Sequence, residues 1–135
     1  MIQWTEQFST GSPQLDVQHQ ALIDNINELG KALLLTNISS DDYKYIVYVV
    51  DFLEHYARRH FHVEEQCMEQ HRCPIHASNK AAHEQFKQTF SSFKQQWQAQ
   101  GFRRELLLEL HMFLSQWVVD HILQVDKQLR PCIKG

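Results

Sequence analysis

Residues 39–67 read SSDDYKYIVYVVDFLEHYARRHFHVEEQC. Ser39, Ser40, Asp41 and Asp42 offer side chains that cap free backbone N–H groups, and their charges suit the positive end of a helix dipole. Beyond them Ile46, Val49, Leu53, Tyr56 or Ala57, His60, Glu64 and Cys67 advance by steps of three and four, the spacing of one helix face. That face starts greasy and ends in imidazole and carboxylate. The segment must stop before Cys73-Pro74, because a residue preceding proline is biased out of the helical region.

Three further segments repeat the pattern. Ser12-Pro13 is a good N-cap followed by proline at the first helical position. From there His19, Leu22, Ile26, Leu29 and Leu33 form a stripe that fades at Thr36-Asn37. A third helix is predicted from about Ala77 to Gln100, stopping at Gly101, with Asn79, His83, Phe86, Phe90, Phe93 and Trp97 on one face. A fourth begins near Phe102 and ends before Arg130-Pro131, with Leu107, Leu110, Leu114, Trp117 and His121. Short links put sequential neighbours antiparallel. The expected fold class is all-α: an up-down-up-down antiparallel four-helix bundle over residues 12–130, preceded by an N-terminal arm, residues 1–11, in one domain spanning 1–135.

Composition agrees. The chain has 135 residues, 43% of them apolar, with four Gly and three Pro. That is about 5% turn-makers against roughly 12% on average, which disfavours a many-turned β fold. The longest uncharged apolar stretches fall far short of the ~20 residues a membrane span needs, so no membrane insertion is expected. The net charge of −3 comes without basic runs, leaving no electrostatic footprint for nucleic acid. Met1 to Glu6 lack a basic leader pattern. Three cysteines, Cys67, Cys73 and Cys132, do not read as paired bridges and favour a reducing cytoplasm.

The anomaly is polar residues at core positions. His19, His60, Glu64, Asn79, His83 and His121 sit where a bundle places Leu, Ile or Phe, with Asp126 just beyond. Each buried polar group left unmatched costs about 1–3 kcal/mol, and seven would rival the whole net stability of about 5–15 kcal/mol. They could satisfy one another or water. A metal centre satisfies them better, because antiparallel order brings all of them to the same end of the bundle. Four imidazoles and two carboxylates are too many for one ion and suit two. A nitrogen and oxygen shell without thiolate fits non-haem iron or manganese, with zinc and copper as competitors.

The arrangement resembles the hemerythrin family, especially its bacterial single-domain members. The resemblance is carried by Leu15-Asp16-Val17-Gln18-His19, His60-Phe61, Glu64-Glu65, Met68, Pro74, His83-Glu84-Gln85-Phe86, and Trp117 to His121 followed by Asp126-Lys127. It implies two Fe ions bridged by carboxylates and a hydroxo or oxo group, binding O2 reversibly. By analogy His19 and His60 hold the iron with a vacant position, Glu64 and Asp126 bridge, and His83 and His121 belong to the other iron. The implied partners are O2 and a cellular reductant or an oxygen-consuming enzyme.

Two features depart from the family pattern. The third helix of such proteins normally carries His-x-x-x-His, and here it is Asn79-Lys80-Ala81-Ala82-His83. Asn79 coordinating through oxygen, water filling the place, a weakly held second iron, and His76 as a substitute are all open; water is favoured. Asp126, five residues past His121, falls about 140° around a regular helix, which predicts a π-type turn or an early helix end between them. The other histidines, His55, His62, His71, His76 and His111, are expected on the surface or flanks. Cys67 reads as a packing residue, and Phe61 and Trp117 as the border of an oxygen pocket. The expected function is O2 storage, delivery or sequestration. The alternatives are a di-iron oxidase or peroxide-consuming enzyme, or an oxygen or redox sensor.

Overall fold

The computed structural model describes residues 2–101 and 103–134, with side chains at all of these except 125–127 and 133–134. Four α-helices follow a short 3₁₀ turn at Glu6–Phe8: α1 Pro13–Leu33, α2 Ser40–Gln70, α3 His76–Gln100 and α4 Arg104–Lys134. There is no strand among the described residues. Helix α1 packs against α2 and α4, and α3 closes the bundle against the same two. Helix α4, expected from near Phe102, starts at Arg104, and Phe102 itself lies outside the described residues.

The helix ends follow from local chemistry. Ser12 accepts a hydrogen bond from the Leu15 N–H, and Pro13 fills the first helical position. Ser39 and Asp42 exchange hydrogen bonds with each other's backbone N–H at 3.0 Å, a reciprocal capping box. Helix α2 ends in a Schellman turn: Cys73 N–H donates to Met68 O at 2.8 Å and Arg72 N–H to Glu69 O at 3.1 Å. Arg72 occupies the left-handed position there, at φ 54°. Gly101, at φ 76°, terminates α3 with its N–H on Trp97 O.

The arm is tied to α1 by polar contacts. Asp16 accepts from Ser9 Oγ at 2.8 Å, Thr10 N–H at 2.7 Å and Thr10 Oγ1 at 2.9 Å. Asn27 clasps both backbone groups of Ile2. These contacts seat Trp4 and Phe8 on the main core.

The apolar stripes meet as expected. Leu22, Ile26, Leu29, Leu33, Ile46, Val49, Leu53, Phe90, Leu107, Leu110 and Leu114 are buried, and at the alternative α2 position Ala57 is buried rather than Tyr56. Helix α4 is long and apolar enough to cross a membrane by length and composition alone, yet its apolar stripe lies within the bundle core.

Three expectations need correction. Helix α4 continues past Arg130-Pro131 to Lys134 instead of ending before them. Proline in a helix interior costs about 3 kcal/mol, and tertiary ties hold the turn nonetheless: Leu129 is fully buried and Arg130 binds the Ser9 carbonyl. The same helix is regular between His121 and Asp126, with neither a π turn nor an early end. Ile122 and Leu129, both buried seven residues apart, keep one seam facing the core. Finally, Cys73 and Cys132 form a disulfide across 59 residues. The loop after α2 and the end of α4 meet there, beside a small cluster of Leu15, Met68 and Leu129. The cysteine count therefore no longer argues for a reducing compartment.

Candidate metal centre

Five of the six residues assigned from sequence as metal ligands converge. His19 comes from the start of α1, His60 and Glu64 from the end of α2, His83 from the start of α3 and His121 from α4. All five are buried. The sixth, Asp126, has its side chain outside the described residues.

Glu64 is the hub. His19 Nε2 and His60 Nε2 lie 3.2 and 3.1 Å from its Oε2, while His83 Nε2 and His121 Nε2 lie 3.1 and 3.4 Å from its Oε1. Two donor trios result, His19–His60–Glu64 and Glu64–His83–His121, each with its ligand atoms within 4.8 Å of one another. The carboxylate is common to both, one oxygen facing each trio. That is the placement a bridging carboxylate needs between two ions.

The outer contacts decide which ring nitrogens carry protons. His83 Nδ1 donates to Glu65 Oε2 at 2.8 Å, and His60 Nδ1 to Gln18 Oε1 at 2.7 Å. A neutral imidazole that donates from Nδ1 has a lone pair on Nε2. In both rings Nε2 faces a Glu64 oxygen, and in His83 also His121 Nε2, 3.1 Å away. Lone pairs facing a carboxylate repel unless a cation lies between them. A proton on one ring would relieve one such contact; cations relieve all of them together. The donor set thus fits metal, and Gln18 and Glu65 are the outer partners that fix the ligand tautomers.

Electrostatics point the same way. Burial pushes the His19 and His121 imidazoles below their usual range, opposed by their contacts to Glu64. Burial alone would raise Glu64, but hydrogen bonds from His121 and His19 and the nearby His60 hold it well below the usual carboxylate range. Glu64 is thus an ionised carboxylate fully buried among four imidazoles. His19 Nδ1 is buried without a hydrogen-bond partner among the described residues.

Asn79 stands beside the second trio. Its amide nitrogen donates to Glu64 Oε1 at 2.8 Å and contacts Met68 Sδ at 3.2 Å. Here it holds the shared carboxylate by a donor. His76, the substitute considered from sequence, is the first residue of α3 and belongs to neither trio. Cys67 belongs to neither as well, and burial, then the charge of Glu64, push its thiol up.

Aromatic rings roof the centre. Phe61 stacks on His83 with centroids 4.0 Å apart, and Trp117 on His121 at 4.4 Å. Leu22, Ile26, Phe61, Phe86, Leu114 and Trp117 border a wholly apolar cavity of about 10 Å³, at the lower limit for one water-sized molecule.

The hemerythrin HHE cation binding domain matches residues 10–133. The chain belongs to the hemerythrin family. It is 27% identical over 135 residues to a bacteriohemerythrin of Stenotrophomonas maltophilia (strain R551-3), covering all of this chain and 83% of that protein. It is 28% identical over 136 residues to a bacteriohemerythrin of Methylococcus capsulatus, covering 100% and 98%. A crystal structure of wild-type hemerythrin superposes with a TM-score of 0.83 at 25% identity, over 100% of this chain and 99% of that one. The hemerythrin fold resemblance read from sequence is therefore correct.

Gln18 and Glu65 were not recognised from sequence as functional. Their signals were adjacency to a candidate ligand, His19 or Glu64, and a place in the motifs that carry the family resemblance.

Proposed function

We propose that this chain binds O2 reversibly at a non-haem di-iron centre, for storage, delivery or sequestration of the gas. The observation that carries the reading is the pair of donor trios sharing the Glu64 carboxylate. His19 and His60 would hold one iron and His83 and His121 the other, with Glu64 between them and Asp126 as the second carboxylate that the family resemblance implies. When bound, the iron pair supplies the redox equivalents and the coordination position for O2.

The protein's own part is placement and exclusion. Gln18 and Glu65 hold the His60 and His83 rings with Nε2 facing inward. Phe61 and Trp117 cover the His83 and His121 rings. The apolar cavity beside them suits a nonpolar diatomic better than water, which needs polar partners to enter.

A second reading has one observation in its favour. Asn79 presents an amide donor, not an imidazole, beside the second trio, so the iron there would have fewer protein ligands and more exchangeable ones. That suits a di-iron oxidase or peroxide-consuming enzyme. Oxygen titration of iron-loaded protein separates the two. A carrier changes absorption with O2 and regains its reduced spectrum on deoxygenation. An enzyme consumes O2 or peroxide continuously when a reductant is supplied. Protein holding two irons that neither changes absorption with O2 nor consumes O2 or peroxide would overturn both.

A further inference from the structure

The centre has two unlike faces. On one side lies the apolar cavity bordered by Phe61 and Trp117. On the other, between α3 and α4, two open cavities of about 140 and 350 Å³ share Ala82, His121 and Gln124 and so form one continuous groove. Its inner end is lined by Ser78, Asn79, Ala82, His121, Gln124 and Gln128. Two of these, Asn79 and His121, also contact Glu64 Oε1. The groove therefore reaches from solvent to the Asn79 side of the second trio.

The groove's inner end is more polar than the apolar cavity, while its outer part carries Phe113 and Trp117 beside Gln116 and Asp120. Gln124 and Gln128 are exposed and bring amide groups that can both donate and accept. Ala82 leaves the space open, because a methyl side chain at this position does not fill the gap between the helices. A small ligand with hydrogen-bonding ends gains partners at the inner end, where Ser78, Asn79, Gln124 and Gln128 stand together.

We propose that this groove is a second ligand entrance, delivering a small hydrogen-bonding ligand of two or three heavy atoms, of the azide or hydroperoxide class, to the position beside Asn79. The inference rests on the di-iron reading above and assigns to the second trio an exogenous-ligand site separate from the apolar cavity. Asn79 is the residue that makes it possible: its short amide stays against Glu64 and Met68, leaving the groove end open next to His121.

The test is azide binding to the iron-loaded, oxidised protein, with iron per chain measured on the same sample. The expected result is two irons and two azides per chain, by calorimetry and by the azide-dependent absorption, with one azide located at the groove end in a soaked crystal. Ala82→Phe plugs the groove from a residue that itself makes no contact with Glu64. It should leave the iron content and the first azide unchanged and weaken the second by about tenfold or more, corresponding to about 1.4 kcal/mol. If Ala82→Phe does not fold, as judged by circular dichroism, Gln124→Phe at an exposed position serves instead. Two irons with a single azide, or a second azide indifferent to the plug, overturns the groove proposal alone. Fewer than two irons per chain overturns the di-iron reading and this proposal with it.

Discussion

Asn79 Nδ2 donates to Glu64 Oε1 at 2.8 Å, so a side chain on α3 steadies the carboxylate on α2 that both donor trios share. Four rings approach that carboxylate, and the amide helps fix its orientation between them. Removing an outer partner of this kind lowers metal affinity by about 10–100-fold. Asn79→Ala should do so, read as faster iron loss to a chelator. Asn79→His should act in the opposite direction, slowing loss of the second iron by supplying a nitrogen ligand. If both variants release iron at the parent rate, Asn79 has no part in holding the centre.

Glu65 offers a cleaner test, since it touches the ligand ring and not the centre. Its carboxylate accepts from His83 Nδ1 at 2.8 Å and is itself partly exposed. Glu65→Ala leaves that N–H without its acceptor and frees the ring to rotate. The expected outcome is iron affinity reduced by about 10–100-fold with unchanged helix content, measured by competition with a calibrated chelator. Glu65→Asp, too short to keep the contact at this distance without a shift, should fall between.

The bundle was legible because helical period is written in single residues: His19, Leu22, Ile26 and Leu29 are each buried where spacing placed them. The candidate centre was legible for the same reason, since polar residues in an apolar seam stand out without knowledge of tertiary contacts. Gln18 and Glu65 were not, because surface-type residues acquire a role only when a neighbouring helix supplies the partner: Gln18 on α1 meets His60 on α2, and Glu65 on α2 meets His83 on α3. Pro131 misled for a related reason. Local chemistry stops a helix there, while the burial of Leu129, the Arg130 contact and the Cys73–Cys132 bridge keep it going.

The bridge itself should carry measurable stability. It closes a loop of sequence separation 59 between the turn after α2 and the last turns of α4. Cross-links of this kind typically contribute about 2–4 kcal/mol, chiefly by restricting the unfolded chain. Cys132→Ser should lower the unfolding free energy by about that much, measured by urea titration under oxidising conditions. Parent protein under reductant should match the variant. Equal midpoints for oxidised parent and Cys132→Ser would show that the bridge contributes nothing.

Gly30 and His111 give a prediction in pH, remote from the donor trios. A Cβ built at Gly30 would lie 2.6 Å from His111 Nε2, so the glycine is the seat into which the ring packs. Burial there pushes the His111 imidazole below its usual range, opposed by its hydrogen bond to the Ile26 backbone. A depressed imidazole gives stability that is complete above the ordinary value of about 6.5 and that is lost as pH falls from there through the folded-state value, because the unfolded chain takes up the proton first. Gly30→Ala has a helix-propensity advantage of about 1 kcal/mol, but it must expel the ring and break the Ile26 bond. The expected outcome is a His111 imidazole that titrates closer to its ordinary value, followed by ring-proton NMR, together with a shallower loss of stability between neutral and mildly acidic pH. A titration curve that does not move would mean that the ring never occupied the glycine's space.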